Sequence, residues 1–174
     1  YGFTPHQTEE VIGLFKSGSG KYIQSASHRI IKNRNWLIIS PKNNNKAVNI
    51  LIEANEAEII YEQGKISIKQ ITPENYNTQT SNLAAQLNAD EIQFPLLLRK
   101  WKTGDYFYPL GMKKKKKLSR FFIDQKLAIT QKEKTWVIEM DKKILWVVGL
   151  RIDDRFKVTE NTKQVLKLTL TVTE

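Results

Sequence analysis

Cysteine is absent from the 174 residues, which excludes disulfide staples, thiolate metal sites and cysteine nucleophiles together. The two histidines, His6 and His28, are too few for a histidine-rich metal centre. Long apolar runs are missing as well. Leu37-Ile38-Ile39 and Leu96-Leu97-Leu98 fall far short of the roughly 20 residues that cross a bilayer. The opening Tyr1-Gly2-Phe3-Thr4-Pro5 has neither the basic start nor the apolar stretch of a secretory leader. It also has no initiator methionine, so the chain reads as a piece of a longer, cytoplasmic protein. What remains is ordinary: 40% apolar and 26% charged residues are enough for a packed core in one domain or two small ones.

The net charge of +10 is concentrated in one stretch. Residues 1–98 hold nine basic and nine acidic side chains, and residues 135–174 hold seven and six. Residues 99–134 hold twelve basic and three acidic. A focused surplus of this kind points to a polyanionic partner rather than to solubility alone.

Along the chain, Thr4-Pro5-His6-Gln7 reads as a capping box with proline at the first helical position. Glu9 and Glu10 favour the positive end of that helix, and Val11, Ile12, Leu14 and Phe15 give it an apolar stripe. Ser17-Gly18-Ser19-Gly20 ends it. Strands are expected at Trp36–Ile39, closed by Pro41 and Asn43-Asn44-Asn45, and where Val48, Ile50 and Ile52 alternate. A hairpin is expected around Gln63-Gly64, flanked by Ile59–Tyr61 and by Ile66, Ile68 and Ile71. Residues 72–82 are polar and read as a boundary, and periodicity leaves 81–90 open between helix and strand. Further strands are expected from Phe94 to Leu98, with Pro95 marking a start or an edge, and over Leu166–Val172. Trp136–Glu139 and Ile144–Val148 form a hairpin across Asp141-Lys142-Lys143. Residues 117–126 carry Leu118, Phe121 and Phe122 on one helical face. Trp101 and Trp146 sit in apolar strand patterns and are expected in the core.

Few constellations carry chemistry. Gly18-Ser19-Gly20-Lys21 lacks the earlier glycine and the following Ser or Thr of a phosphate loop, since Phe15 and Tyr22 stand there. Asp153-Asp154 between Arg151 and Arg155 reads as a salt-bridged turn rather than a catalytic pair. His28 beside Arg29 is either a structural histidine or a phosphate contact. No nucleophile, base and orienter set exists, so the chain alone is expected to be non-catalytic, with no cofactor or metal of its own. The strongest signal is the run Lys113, Lys114, Lys115, Lys116 and Lys117. Such a run is commonly a solvated loop, yet this one precedes a helix start, where positive charge opposes the dipole. Arg99, Lys100, Lys102 and Arg120 widen the patch. Trp101, Tyr106, Phe107 and Tyr108 lie among them, the mixture that holds single-stranded nucleic acid. At most one or two of those rings are expected to be exposed.

Several ordered blocks resemble one family. Phe94-Pro95-Leu96-Leu97-Leu98-Arg99-Lys100-Trp101-Lys102-Thr103-Gly104-Asp105 is followed by Pro109-Leu110-Gly111-Met112 and by Lys116 to Asp124. With Trp146 to Phe156 they are similar to the C-terminal domain of tRNA(Ile)-lysidine synthetases. Gln7 to Leu14, Ser17 to Lys21 and His28-Arg29 resemble that family's middle, substrate-binding region. The resemblance implies a parent ligase whose N-terminal domain uses ATP and magnesium to adenylate the wobble cytidine of an isoleucine tRNA of the CAU-anticodon type. Free lysine then displaces AMP, and a homodimeric parent is left open. That domain's Ser-Gly-Gly-x-Asp-Ser loop does not occur in this sequence.

Carried onto these positions, the tRNA-binding candidates are Arg99, Lys100, Lys102, the five lysines, Arg120, Arg151 and Arg155, with His28 and Arg29. Asp105, Asp124 and the glycines Gly104, Gly111 and Gly149 read as structural. The expected fold class is α+β, a small helix-plus-antiparallel-strand unit followed by a β-rich domain with one helix. Residues 1–75 would be part of the substrate-binding domain, 76–90 a linker, and 91–174 the tRNA-binding C-terminal domain. The alternative is a stand-alone basic module that binds RNA or DNA and serves no ligase. Membrane binding is disfavoured because no amphipathic helix with exposed aromatics accompanies the lysines.

Overall fold

The computed structural model describes residues 1–41, 49–77 and 81–172. It begins with α1 (Pro5–Leu14), and both halves of the capping box form: the Gln7 amide donates to Thr4 Oγ1, and the Thr4 amide donates to Gln7 Oε1 at 3.0 Å. Of its expected apolar stripe only Leu14 is buried, while Ile12 is 65% exposed. Strands β1 (Tyr22–Gln24), β2 (His28–Asn33) and β3 (Trp36–Pro41) follow as an antiparallel meander. The first two were not legible as strands in the sequence. Asn43-Asn44-Asn45 and Val48 lie outside the described residues.

The remaining strands are β4 (Ile50–Ile52), β5 (Glu58–Tyr61), β6 (Gly64–Ile71), β7 (Ala84–Asn88), β8 (Leu96–Lys100), β9 (Tyr106–Phe107) and β10 (Lys116–Lys117). Helices α2 (Leu118–Asp124) and α3 (Ile129–Lys134) precede β11 (Trp136–Met140), β12 (Lys143–Val147), β13 (Arg151–Ile152) and β14 (Val165–Val172). Among the described residues no helix is long and apolar enough to cross a membrane.

The chain divides into two units: Tyr1–Lys46 with Lys126–Glu133, and Ala47–Gln125 with Lys134–Glu174. This corrects the expected boundaries. Strands β4, β5 and β6, assigned by sequence to the first domain, belong to the second unit. The reason is pairing: β6 runs antiparallel to β14 from Gly64↔Val172 to Ile71↔Val165. The expected linker at 76–90 contains β7, which pairs with the other side of β14. The second half also holds a helix beyond the one expected, α3, most of which falls in the first unit.

Among the described residues the second unit holds two larger sheets, ordered β13-β12-β11-β8-β4 and β5-β6-β14-β7, and the two-stranded β10-β9 pair. Period-two burial drives it. Leu166, Leu168 and Leu170 of β14 are buried, and Leu168 lies between Ile68 and Ala85 in register. These residues share one core with Leu96, Leu98, Ile138 and Trp146 of the other sheet. Pro95 directly precedes β8, which is central rather than an edge, so the proline marks its start. The β11–β12 hairpin turns on Asp141-Lys142 alone, both with positive φ (46° and 62°) as a two-residue type I′ turn demands.

Trp146 is 1% exposed, whereas Trp101 is half-buried with its ring edge-on to Phe122 at 5.0 Å. Replacement of Trp146 by alanine is therefore expected to cost about 3–5 kcal/mol, and Trp101→Ala less. Thermal melts of the two variants check the ranking; equal losses would place Trp101 in the core as well.

Candidate nucleic-acid interface

Strands β9 and β10 set the geometry of the lysine run. In their antiparallel pair Lys117 faces Tyr106 and Lys116 faces Phe107. Directly opposed residues put their side chains on one face, and neighbours along a strand alternate. Lys115 and Lys117 therefore share the face of Tyr106, which is 44% exposed. The Lys115 ammonium lies 5.2 Å from the Tyr106 ring centroid. Lys116 points the other way, beside buried Phe107, and its Nζ pairs with Asp124 at 2.6 Å. That hydrogen bond and the nearby charges hold the Asp124 carboxyl below the usual carboxylate range. Five consecutive lysines are thus not equivalent.

The same alternation runs on along the 106–110 segment, with Tyr106, Tyr108 and Leu110 turned outward and Phe107 and Pro109 buried. Main-chain bonds stitch this segment to residues 152–154. The Tyr108 amide donates to Asp153 Oδ2 at 2.9 Å, and the Leu110 amide to the Ile152 carbonyl at 3.0 Å. Asp153 is fully buried and grips Arg155 through Nε and Nη2, both at 2.9 Å. That bidentate pair raises the affinity of Arg155 for its proton and lays its guanidinium over Tyr108, 4.4 Å from the ring centroid. Tyr106 and Tyr108 meet edge to face at 6.5 Å. The outcome is a ladder, Lys115–Tyr106–Tyr108–Arg155, in which two rings are flanked by cations, with Lys115 and Tyr106 exposed and Tyr108 half-buried. Such a ladder can stack bases and neutralise phosphates.

Gly111 closes the segment at φ 86°, a backbone region that favours glycine. Its amide donates to Asp154 Oδ1 at 2.9 Å, and this bond, with the ion pair to Lys157 at 3.0 Å, lowers the Asp154 pKa from its ordinary 3.8. A depressed carboxylate pKa contributes stability that is complete above the ordinary value and lost as pH falls through the folded one. Replacing Asp154 by alanine is expected to cost about 1 kcal/mol near neutral pH. The gap should narrow below pH 3.8. Melts of both proteins from pH 7 to 3 check this, and a constant gap would refute the charged contact.

The other candidates divide sharply. Arg99 is the correction: only 7% exposed, it lies inside the unit with its guanidinium on Asp105 at 2.8 and 3.0 Å and on Glu139. Burial pulls its pKa down, but the two carboxylates outweigh that and leave it raised. Its charge is committed within the unit. Lys100 pairs with Glu62 at 2.8 Å and lies over Trp136, so its charge is committed within the unit. Lys102 is exposed, on a turn whose amide donates to Asp105 Oδ2. Lys113 and Lys114 are exposed, and Arg120 is 71% exposed, 3.5 Å from Asp124. Arg151 is exposed on β13.

Helix α2 itself offers little to an anion. It has seven residues, and the Leu118 amide donates to the Asp105 carbonyl at 2.9 Å. In the first unit His28 bonds Ser27 Oγ at 2.9 Å and stacks edge-on with Tyr1. Arg29 forms a bidentate pair with Glu133 and a bond to Ser40, so it is engaged within its own unit.

Comparison with known proteins places these elements. Residues 1–42 match the family model described as the TilS substrate binding domain, and residues 96–169 match the TilS substrate C-terminal domain. The tRNA(Ile)-lysidine synthase of Parabacteroides distasonis is 36% identical over 167 residues, covering 95% of this chain and 38% of that protein. That of Bacteroides thetaiotaomicron is 32% identical over 165 residues, covering 95% and 36%. The chain thus spans little more than a third of the length of these curated relatives. A crystal structure of a TilS C-terminal domain superposes with a TM-score of 0.58 at 18% identity, covering 74% of this chain and 99% of that one. That likeness shows the fold. With both domain models matched in order, the chain belongs to the tRNA(Ile)-lysidine synthase family, of which it carries the substrate-binding and C-terminal domains.

Proposed function

We propose that this chain is the tRNA-gripping part of a tRNA(Ile)-lysidine synthase and performs none of the bond-making itself. The observation that carries the reading is the Lys115–Tyr106–Tyr108–Arg155 ladder, open at Lys115 and Tyr106 and half-buried at Tyr108, with Lys117 on its face. A surface of rings flanked by cations holds RNA through phosphates and bases together. The relatives are named as lysidine synthases for an isoleucine tRNA, so the proposed ligand is that tRNA. In a protein of their length, adenylation of the wobble cytidine with ATP and magnesium, and attack by lysine, would fall to the part outside this chain. The interface here supplies affinity and orientation. Residues 113, 114, 115, 117, 120, 151 and 155 form its proposed basic surface, and Arg99 supports it from within.

The test uses the purified chain and the catalytic part of the enzyme. The chain alone should bind isoleucine tRNA yet give no ATP–pyrophosphate exchange and no lysidine. Joined to the catalytic part, the ladder variant Tyr106→Ala/Lys115→Ala, which leaves the Asp153–Arg155 pair intact, should raise KM for tRNA with little change in kcat, as loss of uniform binding does. Exchange activity in the isolated chain would sink the division of labour. An unchanged KM would sink the ladder's role.

A further inference from the structure

We infer that a cleft at the end of the ladder receives one unpaired nucleobase of the bound RNA, an inference that rests on the RNA-binding reading above. The cleft has a volume of about 230 Å³, and its lining includes Tyr76, Asn82, Gln86, Leu110, Trp146 and Arg151. Clefts for drug-sized ligands run to roughly 300–1,000 Å³, so this one suits a single ring system rather than a whole nucleotide cofactor.

Three observations point to a base. The first is position. Leu110 continues the outward alternation of Tyr106 and Tyr108, and its amide is bonded to Ile152, the neighbour of Arg151. An RNA strand following the ladder therefore arrives at the cleft mouth. The second is the lining. Leu110 and Ile152 give apolar surface with buried Trp146 behind them, while the amide of exposed Asn82 offers both donors and an acceptor to a base edge. The third is rigidity. Gln86 is 4% exposed, and its amide is fixed by the Asn77 main chain, donating to the carbonyl at 2.9 Å and accepting from the N–H at 3.3 Å. That pair of bonds fixes the β7 wall of the cleft. Among the described residues no carboxylate lines the cleft, and Arg151, exposed in its lining, suits the phosphate that accompanies the base.

The experiment titrates the chain with three short RNA duplexes of equal sequence. One is fully paired, one carries a single unpaired adenosine as an overhang or bulge, and one carries an abasic residue at that place. The adenosine form should bind about tenfold more tightly than the abasic form, the effect of placing one base on an aromatic or apolar surface. The abasic form should match the paired duplex. Ala84→Leu, which fills the cleft from β7, should erase the adenosine advantage and leave paired-duplex binding intact. Asn82→Ala, on an exposed turn, serves if the leucine variant fails to fold, and should shrink the advantage. Equal binding of adenosine and abasic forms overturns the cleft while the RNA-binding reading stands. An advantage that survives in the folded cleft variant also overturns it. Failure of all three duplexes to bind overturns both.

Discussion

Arg99→Ala is expected to destabilise the second unit by about 3–5 kcal/mol, the usual cost of removing one partner from a buried ion pair. The loss is large because two carboxylates are stranded at once. Asp105 and Glu139 are nearly as buried as the arginine, with side chains 8% and 12% exposed. Uncompensated, each carries a desolvation penalty that no water can relieve. For a chain of this length the fall in melting temperature should be on the order of 10 °C. Asp105 also accepts from the Lys102 amide, and its carbonyl accepts from Leu118, so the turn before β9 and the start of α2 should loosen with it. Well below its melting point the variant should bind tRNA with the wild-type salt slope, since Arg99 reaches no phosphate. Wild-type melting with weakened binding would return Arg99 to the interface.

The second large effect concerns salt. Each neutralised phosphate releases condensed counterions, with a slope of about −0.7 to −0.9 in log K against log salt. The triple variant K113A/K115A/K117A should flatten the slope by about two to three units and weaken all tRNAs alike, since phosphate contacts carry no sequence information. Its stability should be unchanged or slightly higher, because positive charge beside the start of α2 opposes the dipole. Lys116→Ala is the internal control. Lys116 is occupied by Asp124, so this variant should keep the slope and lower the melting temperature instead. If the triple variant keeps the wild-type slope, the run is a solvated loop and the phosphates are held around Arg151 and Arg155. If Lys116→Ala flattens the slope as strongly as its neighbours, strand alternation does not govern the run.

What the sequence disclosed follows from how local the cause is. The α1 capping box lies within four residues, and both of its bonds form. The hairpin at Asp141-Lys142 and the alternation of Leu166, Leu168 and Leu170 are equally local and equally legible. Residues 84–88 were not, because Ala84-Ala85-Gln86-Leu87 becomes a strand through pairing with β14. The domain boundary failed for the same reason. At the interface the lysine run was conspicuous, yet sequence could not separate Lys116 from Lys115 without the β9–β10 register. Arg99 was misread because its partners stand six and forty residues away. The cleft had no signal at all, being assembled from Tyr76, from the stretch 81–86, from Leu110 and Trp146, and from 150–152.

The place of β14 bears on how the protein is made. It fills the slot between β6 and β7, and it follows every other strand of its unit in the chain. On a translating ribosome β6 and β7 therefore emerge with open edges and wait for β14 before their ladders can join. Unclosed strands are templates for foreign pairing, so this interval is when the nascent chain most needs a holding chaperone. A stop codon shortly before Val165 would yield a polypeptide that keeps β5, β6 and β7 yet never completes the four-stranded sheet.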